Sequence, residues 1–139
     1  MSQIDLNFSI AEVFVRCFLG ILFLFQGYDK LFVVKIKNVI NAFHHETDRK
    51  HIPSFLLYFT SYFTSITEFT GGILLITGLF HQYVPIILVI NLLIVAIAFS
   101  FLRPMWDLQH VFPRVILLTL ILLLSNYFYF GLDTIIFFK

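Results

Sequence analysis

The chain has little charge and almost no cysteine. Nine Lys and Arg set against eight Asp and Glu among 139 residues leave a net charge of +1. That excludes the dense basic patch by which proteins neutralise phosphates, and nucleic acid with it as a partner. Cys17 is the single cysteine, so neither an intrachain disulfide nor a thiolate cluster can form. Low-complexity linkers are missing, which leaves no boundary for a second domain and a single domain over residues 1–139. Histidine is missing from the apolar stretches: His44, His45, His51, His81 and His110 all fall in connections or at their edges. The inward His ligands of a transmembrane haem are therefore not available. A Gly-rich phosphate loop, a nucleophile elbow and a convincing triad are lacking too, so the chain has no ordinary equipment of a self-sufficient enzyme.

What the chain does have is apolar bulk. Hydrophobic residues make up 60% of it, 19 of them Phe, against roughly 45–50% in globular domains. The composition points to an all-α integral membrane protein, with most of the Phe side chains facing lipid. A bilayer core needs about 20 consecutive apolar helical residues. Four stretches qualify, at about 8–33, 54–80, 83–102 and 112–131, and predict an antiparallel four-transmembrane-helix bundle. The first reads as a retained span, since the segment before it carries no Lys or Arg and no small-residue cleavage site follows. His81, Gln82 and Pro85 mark a tight turn between the second and third spans. Arg103, Pro104 and Trp106 punctuate the third and fourth.

Residues 31–53 are the one long polar connection, carrying Lys35, Lys37, Arg49 and Lys50 among acidic residues and His. Within it Phe32, Ile36, Val39 and Phe43 recur at helical spacing, with Lys37, Asn38 and Asn41 opposite. The expectation is an amphipathic interfacial segment between helices 1 and 2; the alternative is a plain continuation of the first helix. His44, His45, Asp48 and His51 match no metal-ligand spacing and read as solvated loop residues, so no metal is expected. Lys30, Lys35, Lys37, Arg49, Lys50, Arg103 and Arg114 on one side against Lys139 on the other put both termini outside.

Intramembrane charges mark function by default, and two stand out: Arg16 in the first span and Glu68 in the second. On the first helix Glu12, Arg16, Gly20, Phe23, Gly27 and Lys30 share one narrow arc. Glycine there lets another backbone approach, and Glu12 with Arg16 forms an i, i+4 pair. Ser61, Thr64, Ser65, Glu68 and Gly72 make a comparable stripe on the second helix. With the span ends aligned, Arg16 and Glu68 differ in depth by about 7 Å at 1.5 Å rise per residue, so Arg16 is the expected partner of Glu68 and Lys30 fits less well. The pair serves either as a clasp that fixes helix register or as a proton-handling or headgroup-binding site. Asn91 on the third helix and Asn126 on the fourth are expected to hydrogen-bond between helices, and Asp133 to flank the membrane exit. Thr119, Asn126 and Asp133 recur every seven residues, with Tyr129 near the same face. The polar core is thus Glu12, Arg16, Gly20, Gly27, Lys30, Ser61, Thr64, Glu68, Gly72, Asn91 and Asn126. If any residue is catalytic, the candidates are Glu68, Arg16, Lys30 and Asp133.

Arg16-x3-Gly20-x6-Gly27-x2-Lys30-Leu31 and Glu68-x2-Gly71-Gly72-x2-Leu75-x2-Gly78-Leu79 resemble the two opening patterns of the DoxX-like (DoxX/DoxD) family of small four-helix bacterial membrane proteins. Arg114 and Gly131-Leu132-Asp133 resemble its last span. The resemblance implies a bacterial inner-membrane protein and subunits of membrane or membrane-associated complexes, with homo-oligomers open. Some members of that family serve quinone-linked oxidoreductases of the thiosulfate type, so a quinone is the one cofactor the resemblance implies, and none is expected to be held by this chain itself. The expected role is a non-catalytic or quinone-proximal subunit; the alternatives are a small catalytic oxidoreductase subunit handling protons at Glu68, or a small-molecule transporter.

Overall fold

The computed structural model describes residues 3–41, 51, 53–102 and 111–137, and all regular structure among them is helical. The first helix, α1 (Gln3–Tyr28), runs into a π turn at Asp29–Val33, closed by the Val34 N–H on the Asp29 carbonyl at 2.8 Å. Lys35 then takes a positive φ of 63°, which no α-helix accommodates, and ends the helix. A separate short helix, α2, follows over residues 36–41. The plain-continuation alternative for this segment is thereby removed. Its buried face is Ile36 and Ile40, packed on Leu57 and Leu31, whereas Phe32 is exposed. Within α2 the expected face holds, with Ile36 buried and Val39 half-buried opposite exposed Lys37, Asn38 and Asn41; only Phe32 departs from it, because the break at Lys35 separates it from that helix. Residues 42–50, 52 and 103–110, with Phe43, His44, His45, Asp48, Arg49, Lys50, Arg103, Trp106 and His110, lie outside the described residues, as does Lys139.

Pro53 introduces α3 (Ser54–Thr77). Gly78 ends it in the left-handed region at φ 69°, and the Leu79 N–H returns to the Leu74 carbonyl at 3.1 Å, as in a Schellman cap. A side chain at Gly78 would also meet the Arg16 guanidinium. After the turn comes α4 (Val84–Leu102), with Pro85 in its first turn, where a missing N–H costs nothing. The last apolar stretch differs from the expectation of one helix over 112–131. It forms α5 (Phe112–Leu124), a 3₁₀ turn (Ser125–Tyr127), an extended residue at Phe128 and a short α6 (Leu132–Phe137). The break comes from tertiary contacts: Phe128 stacks on His81, and the Phe130 carbonyl accepts from Arg16. Hydropathy cannot register such contacts.

Each long helix packs on two others, α1 on α3 and α5, and α4 on α3 and α5. The closest approach is α1 on α3, where a Cβ on Gly27 would run into the Phe69 backbone and one on Gly72 into the Leu24 backbone. Small residues allow such proximity, which maximises dispersion contacts where lipid supplies no hydrophobic drive. The shared core is apolar, with Leu19, Phe23, Leu75, Leu88, Leu118 and Ile121 nearly or wholly buried. The outward faces are equally apolar: Phe14, Phe25, Phe55, Ile97 and Leu123 are all exposed. Two described segments, Gln3–Val33 and Phe112–Thr134, the second interrupted at Phe128, are by length and composition long and apolar enough to cross a membrane, and Val84–Ala98 is apolar but shorter.

Candidate functional site: two buried charge clusters

Antiparallel packing of α1 on α3 sets the depth of every charge. Gly27 lies against Phe69, and Gly20 against the Gly72 carbonyl and Ile76. This register puts Glu68 level with the end of α1, not its middle. Lys30 Nζ accordingly donates to both Glu68 oxygens, at 2.9 and 2.7 Å. Glu68 is almost fully buried, while the Lys30 side chain keeps 22% exposure. The expected pairing of Arg16 with Glu68 is therefore replaced by Lys30 with Glu68. The reason is that the span ends used for alignment were hydropathy limits, whereas the glycine contacts slide the helices so that about 18 Å of helix separates Arg16 from the level of Glu68.

Around this first cluster, Arg114 at the start of α5 lies close enough for its charge to act on Glu68, and its guanidinium carbon is 5.8 Å from the Phe23 ring centroid. Thr64 and Ser65 are buried beside Glu68, and Ser61 is half-buried. The Ser65 hydroxyl donates to the Ser61 carbonyl at 2.7 Å. Asn91 is fully buried, and its amide nitrogen donates to the Thr64 carbonyl at 3.4 Å, joining α4 to α3. A small cavity of about 90 Å³ opens beside Lys30, lined by Ser61, Thr64 and Ser65 with Val39, Leu57 and Val95.

The second cluster lies at the other end of the helices. Arg16 Nε sits 2.9 Å from a Glu12 oxygen. Arg16 Nη1 donates to the Leu75 carbonyl at 2.8 Å and, longer, to Ile76 at 3.5 Å; Nη2 donates to Phe130 at 2.6 Å. Planar forked donors of this kind suit Arg better than Lys. Asp133, nearly buried, accepts from the His81 backbone N–H at 2.9 Å and lies 3.0 Å from His81 Nδ1. The His81 ring stacks on Phe128 at 4.0 Å. Arg16 thus clasps the chain segment after α5 to the turn after α3, and Asp133 adds a second tie.

Of the expected polar core, Glu12, Arg16, Gly20, Gly27, Thr64, Glu68, Gly72 and Asn91 are buried, and Lys30 and Ser61 are half-buried. Asn126 is exposed, as is Thr119, whose hydroxyl bonds its own helix at the Val115 carbonyl. The correction follows from phase: α5 buries Leu118 and Ile121, so the seven-residue series from Thr119 points outward. Asp133 escapes that series because the chain breaks at Phe128 and turns back. His81, read as a loop residue, is the participant sequence reasoning missed; no local pattern announces it, since its partner is 52 residues away. Among the described residues no group of three or more His, Cys, Asp or Glu could hold a metal ion.

No curated protein and no solved structure matches the chain. The DoxX family model matches residues 11–101, which contain both ion pairs, Glu12 with Arg16 and Lys30 with Glu68, but neither Arg114 nor Asp133. With its apolar helices and with that match over more than half its length, the chain is a membrane protein and belongs to the DoxX family.

Proposed function

We propose that this protein is a multi-pass subunit of a bacterial inner-membrane complex, non-catalytic and close to a quinone pool, with α1, α3, α4 and α5 crossing the bilayer as an antiparallel bundle. The observation that carries the reading is how the buried charges are met. Glu68 closes on Lys30, and Arg16 closes on Glu12 and on the Leu75 and Phe130 carbonyls, all within one chain. Charges matched in this way hold the two ends of a bundle whose register the glycine contacts set. Leu19, Phe23 and Leu118, each almost wholly buried, form an apolar layer between the clusters, which speaks against small-molecule transport through the chain. The apolar outer faces suit lipid and neighbouring helices alike. Expression from native membranes tests the reading: partner subunits co-purify in mild detergent, and a clean monomer overturns it. Alkaline phosphatase fused to the C-terminus is active in the orientation with both termini outside and inactive in the reverse one.

A second reading, a catalytic subunit of a quinone-linked oxidoreductase, draws support from the partly exposed Lys30 beside a cavity, with Glu68 passing on the proton that the quinone takes up as it is reduced and Lys30 polarising a quinone oxygen. In that case Glu68→Gln abolishes quinone reduction while the helices stay folded. Unchanged turnover in that variant removes the catalytic assignment.

A further inference from the structure

The chain after α5 is tied to α1 and to the α3–α4 turn, and one tie uses a side chain that changes charge near neutrality. Arg16 Nη2 donates to the Phe130 carbonyl at 2.6 Å, and the Asp133 N–H donates to the Gly78 carbonyl at 3.4 Å. Neither of these gains or loses a proton in the neutral range. The remaining tie is the Asp133 carboxylate, which accepts from the His81 backbone N–H at 2.9 Å and lies 3.0 Å from His81 Nδ1, with the Phe80 backbone N–H bonded to it as well. Phe80 stands in the left-handed region at φ 54°, a strained conformation for a residue with a side chain. The carboxylate that accepts from both successive N–H groups holds it there.

A carboxylate only accepts, so Nδ1 carries a hydrogen in the neutral ring and an incoming proton goes to Nε2. The His81 side chain keeps 23% exposure, which lets water reach it. The charged groups around the ring come from two elements: Glu12 and Arg16 of α1 share the wall of the inner cavity with it, and Asp133 of α6 bonds it directly. Tyr129, a phenol, shares the wall of the outer cavity. The Arg16 guanidinium opposes a proton on His81, but its charge is taken up by Glu12 at 2.9 Å. Among the described residues, two carboxylates therefore stand against one guanidinium, which leaves one negative charge unmatched with a neutral ring and none with a protonated one. Glu12 and Asp133 are only 2% and 7% exposed, so an unmatched charge there is costly. The Phe128 ring, stacked on His81 at 4.0 Å, adds an attraction that only the cationic imidazole enjoys.

We infer that His81 is a proton-operated latch that closes the chain after α5 onto the α3–α4 turn. With a proton on Nε2, imidazolium and Asp133 carboxylate form an ion pair and the segment is locked down. When the proton leaves, the tie falls to a neutral hydrogen bond, the strain at Phe80 is less firmly opposed, and the segment opens more readily. Opening admits water to the two cavities, of about 240 and 360 Å³, that have His81 and Phe128 in their shared wall. Closure of this end of the helices is thereby coupled to the acidity of the aqueous phase it faces. The inference stands whether or not the chain belongs to a complex.

Limited proteolysis after α5, on the full chain in nanodiscs, tests it across the range of about pH 8 to about pH 5 in which imidazole titrates. Cleavage of a segment that opens and closes rapidly follows the population of the open form. His81→Gln keeps a donor but takes up no proton, and the ratio of its cleavage rate to the parent's cancels the protease's own pH dependence. That ratio rises about tenfold from the alkaline to the acid end, the usual worth of a hydrogen bond between charged groups. His81→Phe, which keeps the ring contact with Phe128 and loses the donor, shows the same rise against the parent. In an Asp133→Asn background the imidazolium has no carboxylate to meet, and adding His81→Gln gives a ratio that stays flat with pH. A flat ratio for both His81 variants, or an undiminished rise in the Asp133→Asn background, overturns the inference.

Discussion

Lys30 Nζ lies 2.7 Å from one Glu68 oxygen and 2.9 Å from the other, across the crossing of α1 and α3 and from within the π turn that ends the first helix. Lys30→Met therefore strands a carboxylate that is almost wholly buried. Breaking a buried pair from one side costs about 3–5 kcal/mol, and the loss here falls toward the lower figure because Lys30 keeps partial access to water. Denaturant unfolding in detergent measures it. Lys30→Met combined with Glu68→Met removes both charges and recovers most of the stability.

The glycine contacts make a graded prediction. A methyl group at Gly27 or Gly72 meets backbone atoms of the facing helix, which cannot rotate away. Each Gly→Ala change there costs about 1–3 kcal/mol by overpacking and separates α1 from α3. At Gly71 the added methyl meets the end of the Leu88 side chain, so Gly71→Ala is better tolerated. Cross-linking yield between cysteines placed on α1 and α3 reads out the separation.

Arg16 ties three stretches of chain together. Arg16→Met releases the Phe130 carbonyl and leaves Glu12 buried without its cation. The expected outcome is faster proteolysis after α5, with the α3–α4 turn loosened at the same time. Arg16→Lys keeps the charge but cannot span Glu12, Leu75 and Phe130 together, and restores protection only in part. Protection equal to the parent in Arg16→Met would contradict the clasp.

The docking of α2 rests on Ile36 and Ile40 against Leu57. Ile40→Ser puts a hydroxyl where no accessible surface remains and loses roughly 2–5 kcal/mol of local stability. Because α2 adjoins the positive-φ break at Lys35, the effect is local opening, seen as faster amide exchange over residues 36–41 with the exchange of α3 unchanged.

The inward stripes of α1 and α3 were legible in the sequence because helical period is a local property. Residues three and four apart share a face whatever the rest of the chain does, so Glu12, Arg16, Gly20 and Gly27 fall in line, as do Thr64, Glu68 and Gly72. The rule failed where the chain breaks or where a polar series does not share the buried face. The break at Lys35 leaves Phe32 outside the face of Ile36 and Ile40, and α5 buries Leu118 and Ile121, which turns Thr119 and Asn126 outward. The His81–Asp133 tie was invisible for another reason, since it joins a turn to a segment whose path depends on contacts already made elsewhere.

By itself the sequence determined that the chain is helical and apolar, which faces of α1 and α3 turn inward, and that it belongs with the DoxX family. Composition and spacing carry that information because hydrophobic burial and helical geometry act within a few residues. Only the tertiary structure decided which charges meet. Partnership depends on the register between helices, and that register is set by where Gly20, Gly27 and Gly72 let two backbones touch. Lys30 rather than Arg16 therefore reaches Glu68, and Arg16 is free to hold the far end of the protein closed.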